Sequence, residues 1–241
     1  MKAVKILWIL ACAVWLPAAV SAKEEHMTTS LTQKQEAVSA VAALAAVGDL
    51  EKLSAAYNEA LNAKLSINEL KEVTLQLYAY TGFPRCLNAA GVLESVVKAR
   101  AEKGLKDENG PAPQALPEGA DKYELGKKNL EVLTASSLPS RPPVFIQGTD
   151  TFLKEHLFAD IFARGVLSFK DREIATVSAV GALGNVNPQL QAHMGMAMNV
   201  GVTEPEMRGI IAVLQNQLGR QIAANAQKVF EQVLASRKEA D

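Results

Sequence analysis

The chain has 241 residues, of which 25 are basic and 26 acidic, and its formal net charge is −1. This length allows one or two domains with a substantial buried core. The near-neutral charge argues against a nucleic-acid partner, which would require a concentration of basic side chains.

Residues 1–22 have the features of a secretory signal. Lys2 and Lys5 precede a short apolar run, and small residues precede a cleavage site after Ala22. We therefore predict a periplasmic or secreted protein with no membrane contact after cleavage. Loss of the two lysines would change the net charge from −1 to −3. A retained membrane anchor is the alternative, but the run is too short to span a bilayer comfortably.

Cleavage would also remove Cys12, which leaves Cys86 as the only cysteine. A single thiol cannot form an internal disulfide or a two-cysteine redox centre in an exported protein. We interpret Cys86 as a small buried apolar residue, with an intermolecular disulfide as the alternative.

Apolar residues recur with helical spacing through most of the remaining chain. The predicted helices are 30–47, 50–63, 66–80, 84–100, 122–133, 150–164 and 220–237, and further helices start at 168, 187 and 203. Capping boxes are predicted to begin at Ser30, Ser66 and Thr203. No stretch alternates apolar and polar residues as a half-buried strand does, so we predict an all-α protein.

The segment 103–149 has a different composition at its start. Residues 103–120 are rich in Pro, Gly and charge, which indicates a linker or long surface loop. In the helix predicted after it, at 150–164, the side chains expected in the core are Phe152, Leu157, Phe158, Ile161 and Phe162.

A shift of 137 residues aligns the chain with itself without a gap. The identical pairs include Glu36 with Glu173, Ala60 with Ala197, Asn62 with Asn199, Gly82 with Gly219 and Arg100 with Arg237. We interpret this as an internal duplication, with copies at 23–102 and 150–241 joined by a linker that contains a helix, 103–149. Because each copy leaves an apolar helix face uncovered, we expect the copies to pack together and the protein to form a homo-oligomer.

The best candidate site pairs His193 with Glu173. The helical face of His193 otherwise carries Leu190, Ala197 and Val200. His193 is therefore predicted to point inward. The position 137 residues before it is Ala56, so any chemistry of this histidine belongs to the second copy alone. The alternatives are a structural core histidine and a glutamate that stabilises the helix dipole.

Neighbouring polar residues receive simpler interpretations. We expect His156 on the surface, and we expect Asp160 and Arg164, four residues apart, to form a helix-surface ion pair unless Arg164 contacts substrate. No spacing of His, Cys, Asp and Glu suggests a metal site, and no glycine-rich phosphate loop is present. We predict no metal and no cofactor.

Two pieces of the sequence resemble the carboxymuconolactone decarboxylase family, an all-helical fold that includes the alkylhydroperoxidase D proteins. The first piece is Tyr80-Thr81-Gly82-Phe83-Pro84 followed by Leu87-Asn88-Ala89, and the second is Arg172-Glu173 with His193 four residues before Ala197. The resemblance covers most of the chain after residue 22 and implies a tandem helical bundle of the alkylhydroperoxidase D type.

The alkylhydroperoxidase branch of the resemblance implies a glutamate, a Cys-x-x-Cys pair and a histidine. The two cysteine positions are occupied here by Val186 and Gln189. Without a thiolate at these positions the peroxidase relay cannot operate, so a thiol peroxidase is disfavoured.

The decarboxylase branch implies chemistry that needs no thiol. On that resemblance His193 is the proton donor, Glu173 is its partner, and Arg172 or Arg164 binds a substrate carboxylate. We predict a lyase or isomerase that acts on a small carboxylated lactone or related acid. Since the resemblance implies cytoplasmic catabolism and the signal implies export, the alternative is a non-catalytic binding or scaffold protein that retains the fold.

Overall fold

The computed structural model describes residues 30–136, 145–146 and 148–240, in which the regular secondary structure is helical and no strand occurs. The prediction of an all-α protein is confirmed. The predicted signal 1–22 and residues 137–144 near the end of the predicted linker lie outside the described residues. None of the described helices is long and apolar enough to cross a membrane.

The helices divide into two similar sets separated by a different segment. The first set is α1 (Gln33–Val47), α2 (Leu50–Asn62), α3 (Ile67–Thr81) and α4 (Phe83–Glu102). Between the sets lie α5 (Lys122–Thr134), the single turn α6 (Thr149–Thr151), a π-helix (Phe152–Ile161) and a 3-10 turn (Phe162–Arg164). The second set is α7 (Phe169–Leu183), α8 (Asn187–Asn199), α9 (Glu204–Leu218) and α10 (Arg220–Ala240).

The helix starts repeat with the offset seen in the sequence. Three pairs of helices begin 137 residues apart: α2 and α8 at Leu50 and Asn187, α3 and α9 at Ile67 and Glu204, and α4 and α10 at Phe83 and Arg220. The tandem arrangement is thus visible in the structure as well as in the sequence.

Two of the three predicted capping boxes are present, at Ser66 and Thr203. The first was placed two residues too early: Thr32 caps α1, and its side chain accepts a hydrogen bond from the backbone N–H of Gln35. Thr32 and Gln35 form a capping box of the predicted spacing, and Leu31, the residue before the cap, is buried against Gly209 of α9.

The core is centred on α1 and α7, which pack against each other along their lengths. Both are Ala-rich, and their side chains are buried around most of the helix surface. At their contact the Ser39 and Ser178 hydroxyls share a hydrogen bond of 2.7 Å. One continuous apolar core contains residues of both copies. In addition, α1 packs on α9 and α7 packs on α3, so each copy lends a helix to the centre of the other.

The segment between the copies forms a second, smaller core. Its buried members are Leu133, Leu157, Phe158, Ile161 and Phe162, against which Tyr80, Met196 and Val200 pack. This cluster covers the side of α3 and α8.

Phe152, predicted to be in the core, is 73% exposed, so that prediction was wrong. The predicted α-helix at 150–164 is mostly a π-helix, whose wider turn changes which side chains share a face.

The loop before α5 is not helical from residue 105 to residue 121, as the linker prediction required. It nevertheless contacts the rest of the fold. The carbonyl of Glu108 accepts a hydrogen bond from the backbone N–H of Ile67, and the backbone N–H of Gln114 donates to the carbonyl of Arg164. The loop therefore covers the start of α3 and holds the end of the 3-10 turn beside it.

Candidate functional site

His193 and Glu173 meet between α7 and α8. Pro188 lies in the first turn of α8, where its fixed φ favours helix initiation, and the following turns carry His193 towards α7. Nδ1 of His193 lies 2.9 Å from Oε2 of Glu173. A carboxylate can only accept, so Nδ1 donates its proton and Nε2 is the nitrogen left to exchange a proton with a ligand.

Both residues are withdrawn from solvent. Glu173 is fully buried and His193 is 7% exposed. Glu173 is the fifth residue of α7, beyond the first turn, which contains Asp171 instead. The interpretation of Glu173 as a helix-dipole residue was therefore wrong, because that effect fades within the first turn. Its other oxygen, Oε1, is buried and has no hydrogen-bond partner among the described residues.

The structure adds Tyr80 of α3 to this pair. The rings of Tyr80 and His193 lie edge to face, with centroids 5.3 Å apart and an interplanar angle of 82°. Nothing in the sequence indicated which helix of the other copy Tyr80 would face. The contact is made because α3 of the first copy packs on α7 of the second.

The Tyr80 hydroxyl is buried and, among the described residues, has no hydrogen bond of normal geometry. Burial, reinforced by the negative charge of Glu173, raises the pKa of Tyr80 well above its ordinary value. A hydrogen-bonding contact with the hydroxyl of Thr176 opposes this rise. The Thr176 hydroxyl donates its proton to the carbonyl of Arg172 at 2.9 Å, so towards Tyr80 its oxygen can only accept. Tyr80 therefore remains a neutral donor throughout the physiological pH range.

Arg172 and Arg164 converge on a buried carboxylate, Glu72. Nε of Arg164 lies 2.9 and 3.0 Å from the two Glu72 oxygens, and Nη2 of Arg172 lies 3.1 Å from one of them. Arg172 also donates to Gln76 at 3.0 Å. Burial lowers the pKa of Arg172, and the nearby Glu72 opposes that effect. The two arginines thus fasten α7 and the 3-10 turn to α3.

The predicted ion pair between Asp160 and Arg164 is not formed. Asp160 contacts Lys122 at 2.9 Å and Nδ1 of His156 at 3.0 Å, and the Arg164 side chain turns to Glu72. Arg164 lies in the 3-10 turn that follows the π-helix, and there its guanidinium pairs with Glu72 of α3, a contact that helical spacing does not show. Within the π-helix, the four-residue pair that does form is His156 with Asp160. His156 is exposed, as predicted.

The corresponding site in the first copy borders a cavity. Glu36, Ala56 and Gln217 are the counterparts of Glu173, His193 and Tyr80 under the 137-residue shift. All three line a cavity of about 600 Å³ between α1, α2 and α9. Of these three positions, the two sites share only the carboxylate. The imidazole and the phenol occur together at the site that contains Glu173.

Cys86 lies away from this site, on α4. It is partly exposed rather than buried, and its thiol donates to the carbonyl of Thr74 at 3.4 Å. Cys86 and Arg164 both line a largely apolar groove of about 930 Å³ between α3 and α4. Burial raises the pKa of the Cys86 thiol, which is the opposite of what a reactive cysteine requires.

Comparison with known proteins gives one family. Two segments, residues 9–95 and 148–232, match the model of the carboxymuconolactone decarboxylase family. The first segment contains α1 to α3 and most of α4, and the second contains α7 to α9 and most of α10. Together they cover most of the chain. Among curated proteins, none is significantly similar to this chain in sequence. The chain therefore belongs to the carboxymuconolactone decarboxylase family, as a member in which two copies of the family's helical unit stand in tandem.

Proposed function

We propose that this protein is an exported, cofactor-free lyase or isomerase that moves a proton on a small carboxylated lactone or related acid. The observation that carries the proposal is the buried hydrogen bond between His193 and Glu173. A histidine that gives one nitrogen to a carboxylate keeps a fixed orientation and presents its other nitrogen for acid–base chemistry. Family membership supports the same chemistry.

In the lyase form of the reaction, the C–C bond to the substrate carboxylate breaks and carbon dioxide leaves. The bonding electron pair moves onto the conjugated carbonyl group as a dienolate. His193, protonated on both nitrogens, delivers its Nε2 proton to carbon and becomes neutral, and a proton from solvent restores it. Glu173 accepts the Nδ1–H hydrogen bond throughout and stabilises the imidazolium.

We also propose that an arginine binds the substrate carboxylate, and Arg164 is better placed than Arg172. Arg172 is fully buried, whereas the Arg164 side chain is 31% exposed and uses only Nε to reach Glu72. Glu72 and Tyr80 are eight residues apart on α3, which separates them by about 12 Å. A substrate that touched both Arg164 and His193 would have to span roughly that distance.

The test is turnover of carboxymuconolactone in deuterium oxide by the wild type and the His193→Gln variant. We expect the wild type to release carbon dioxide and to place one deuterium on the product carbon. His193→Gln should lower kcat by about 10²- to 10⁴-fold, the usual contribution of a positioned acid or base. His156→Gln is the matched control, because this exposed histidine lies outside the site. Equal turnover by His193→Gln would remove the proposal.

A non-catalytic binding or scaffold protein is the second candidate, and the small exposure of His193 favours it. His193 lines none of three large cavities formed by described residues. A purely structural histidine predicts that His193→Gln lowers the melting temperature and changes no reaction. An active wild type whose His193→Gln variant is folded but inactive would exclude this candidate.

A thiol peroxidase remains disfavoured, because Cys86 is remote from the histidine pair in sequence and its thiol pKa is raised by burial. Peroxide consumption by the purified protein that disappears in Cys86→Ser would reverse this conclusion.

A further inference from the structure

The face of α3 that packs on α7 carries a row of polar residues, Glu72, Gln76 and Tyr80, each four residues after the last. Glu72 holds two arginines. The Gln76 side-chain amide donates to the carbonyl of Arg172 at 2.9 Å and accepts from its guanidinium. Tyr80 is the exception, because its hydroxyl has no such partner among the described residues.

Among the described residues, three buried side-chain atoms have no hydrogen-bond partner: the Tyr80 hydroxyl, Oε1 of Glu173 and Nε of Arg172. The first two belong to the side chains that contact His193. A buried polar atom without a hydrogen bond is strongly disfavoured, and native proteins supply such atoms with a water or a ligand. A purely structural role would leave both atoms unsatisfied. Their position at the imidazole indicates that a small polar molecule completes the site.

The other copy provides an internal comparison. At the corresponding place Gln217 replaces the tyrosine and Ala56 replaces the histidine, although the carboxylate is kept as Glu36. The carboxylate is present at both sites, whereas the tyrosine is present only at the site that has the histidine. The fold itself therefore does not require a tyrosine at the position of Tyr80.

We infer that Tyr80 is a catalytic residue contributed by the first copy, whose hydroxyl donates a hydrogen bond to the substrate oxygen that becomes negative as the dienolate forms. This inference rests on the proposed function. It narrows the substrate class to acids in which a carbonyl oxygen is conjugated with the carbon that loses carbon dioxide. His193 supplies the proton to carbon, and Tyr80 keeps its own proton while stabilising the oxyanion.

The neutral state of Tyr80 suits this role. A phenol that stayed protonated only below pH 10 would lose its donor in alkaline solution, whereas burial keeps this one protonated. A donor fixed before the reaction and shielded from water stabilises a developing charge more than an exposed donor does.

The first experiment measures kcat and KM for carboxymuconolactone in the Tyr80→Phe variant, with Tyr78→Phe as the matched control on the same helix. We expect Tyr80→Phe to lower kcat by about 10- to 1,000-fold and to leave KM within about threefold, as loss of one oxyanion donor does. Tyr78→Phe should match the wild type. Wild-type kcat in Tyr80→Phe would overturn the inference while leaving the His193 proposal intact.

The second experiment does not depend on turnover. 4-Nitrophenolate carries an oxyanion and changes its absorbance when it accepts a hydrogen bond. We expect the wild type to bind it with a spectral shift and Tyr80→Phe to bind it at least 10-fold more weakly. No binding to the wild type, or equal binding to both proteins, would contradict the role of Tyr80. Binding that depends on Tyr80 in a protein without lactone turnover would retain the oxyanion contact and reject the proposed reaction.

Stability separates this role from a structural one. Tyr57 is also buried, but its hydroxyl is hydrogen-bonded to Thr74 at 2.7 Å. Tyr57→Phe should lower the melting temperature more than Tyr80→Phe does, because among the described residues Tyr80 makes no hydrogen bond of normal geometry. A larger loss of stability in Tyr80→Phe than in Tyr57→Phe would contradict the inference.

Discussion

Glu72 supplies the buried negative charge that joins the two copies. Its carboxylate faces Arg172, which is fully buried, and Arg164, which is partly exposed. Glu72→Gln leaves the Arg172 guanidinium without its ion-pair partner, and we expect the free energy of unfolding to fall by about 3–5 kcal/mol. Arg164→Gln should cost about 1 kcal/mol, because Arg172 still pairs with Glu72. Urea unfolding of both variants measures the difference, and equal losses would contradict this assignment.

Glu206 gives stability that depends on pH. Burial alone would raise its pKa, but hydrogen bonds from Lys170, Thr203 and Gln35 lower the pKa of Glu206 to about 2. Because this lies below the ordinary value of 4.5, the contribution is complete above about pH 4.5 and is lost as the pH falls towards 2.

We therefore expect Glu206→Gln to be less stable than the wild type by about 2 kcal/mol at pH 7. The gap should narrow below about pH 4 in urea unfolding measured as a function of pH. Glu204→Gln is the control, since Glu204 lies in the same turn but is exposed. A gap that persisted unchanged at pH 2.5 would show that Glu206 does not act through its charge.

At the scale of single residues, the sequence predicted that His193 and Glu173 form a pair, but it did not predict which residues lie beside them. The histidine was recognisable from its apolar helical face and its position before Ala197. The contacts of Glu72 with the two arginines and of Tyr80 with His193 were not recognisable, because they depend on α3 of one copy packing on the other copy. Local spacing carries no information about that contact.

Among the helices, α5 and the π-helix form the closest backbone contact that the structure shows at a glycine. A Cβ on Gly126 of α5 would lie 1.8 Å from the carbonyl oxygen of Lys154. Gly126→Ala must push these helices apart and loosen the small core over α3 and α8, so we expect it to destabilise the protein by about 1–3 kcal/mol.

Gly91→Ala is the matched control for this contact. A Cβ at Gly91 of α4 meets nothing within 4 Å. This substitution should therefore stabilise the helix by up to about 1 kcal/mol. Thermal unfolding compares the two variants, and a Gly126→Ala protein as stable as the wild type would show that the two helices do not need this close approach.

Helix starts were predictable to within two residues from their caps. Ser66 and Thr203 cap their helices as their sequences indicate, whereas the first helix uses a box of the same spacing, Thr32 with Gln35, two residues after the predicted one. The π-helix was missed because ten residues are too few for apolar spacing to separate it from an α-helix. That error accounts for the misplaced Phe152. The pair of Asp160 with Arg164 was wrong because Arg164, in the 3-10 turn, pairs with Glu72 of α3 instead.

Across the whole molecule, α4 leaves large apolar side chains in solvent. Phe83 is 62% exposed and Leu87, one turn later, is 65% exposed. Exposed apolar side chains grouped in this way are typical of a protein contact, so we propose that α4 forms the interface of a homo-oligomer. Light scattering after size-exclusion chromatography should give a multiple of the chain mass, and Leu87→Glu should reduce it.

Val132→Glu is the control for this interface, because Val132 is similarly exposed but lies on α5. A monomeric wild type, or an oligomer unaffected by Leu87→Glu, would contradict the proposal.

The duplication was the feature of the whole molecule most accessible from sequence, since one offset runs through three pairs of helices. The sequence also showed that the copies differ at His193 and Ala56. Tyr80 belongs to the first copy but lies at the site of the second, and Gln217 belongs to the second copy but lies at the site of the first. The sequence therefore did not show that these two residues occupy corresponding positions. The asymmetry of the site is thus a property of the assembled pair of copies.

We propose that His193 of the second copy transfers a proton to the substrate, whereas the first copy, with Ala56 at the corresponding position, cannot. Deuterium incorporation from solvent into the product of carboxymuconolactone tests it most directly. The wild type and His156→Gln should incorporate one deuterium with release of carbon dioxide, and a folded His193→Gln protein should do so about 10²- to 10⁴-fold more slowly. Incorporation at the wild-type rate in His193→Gln, or none in the wild type, would contradict it.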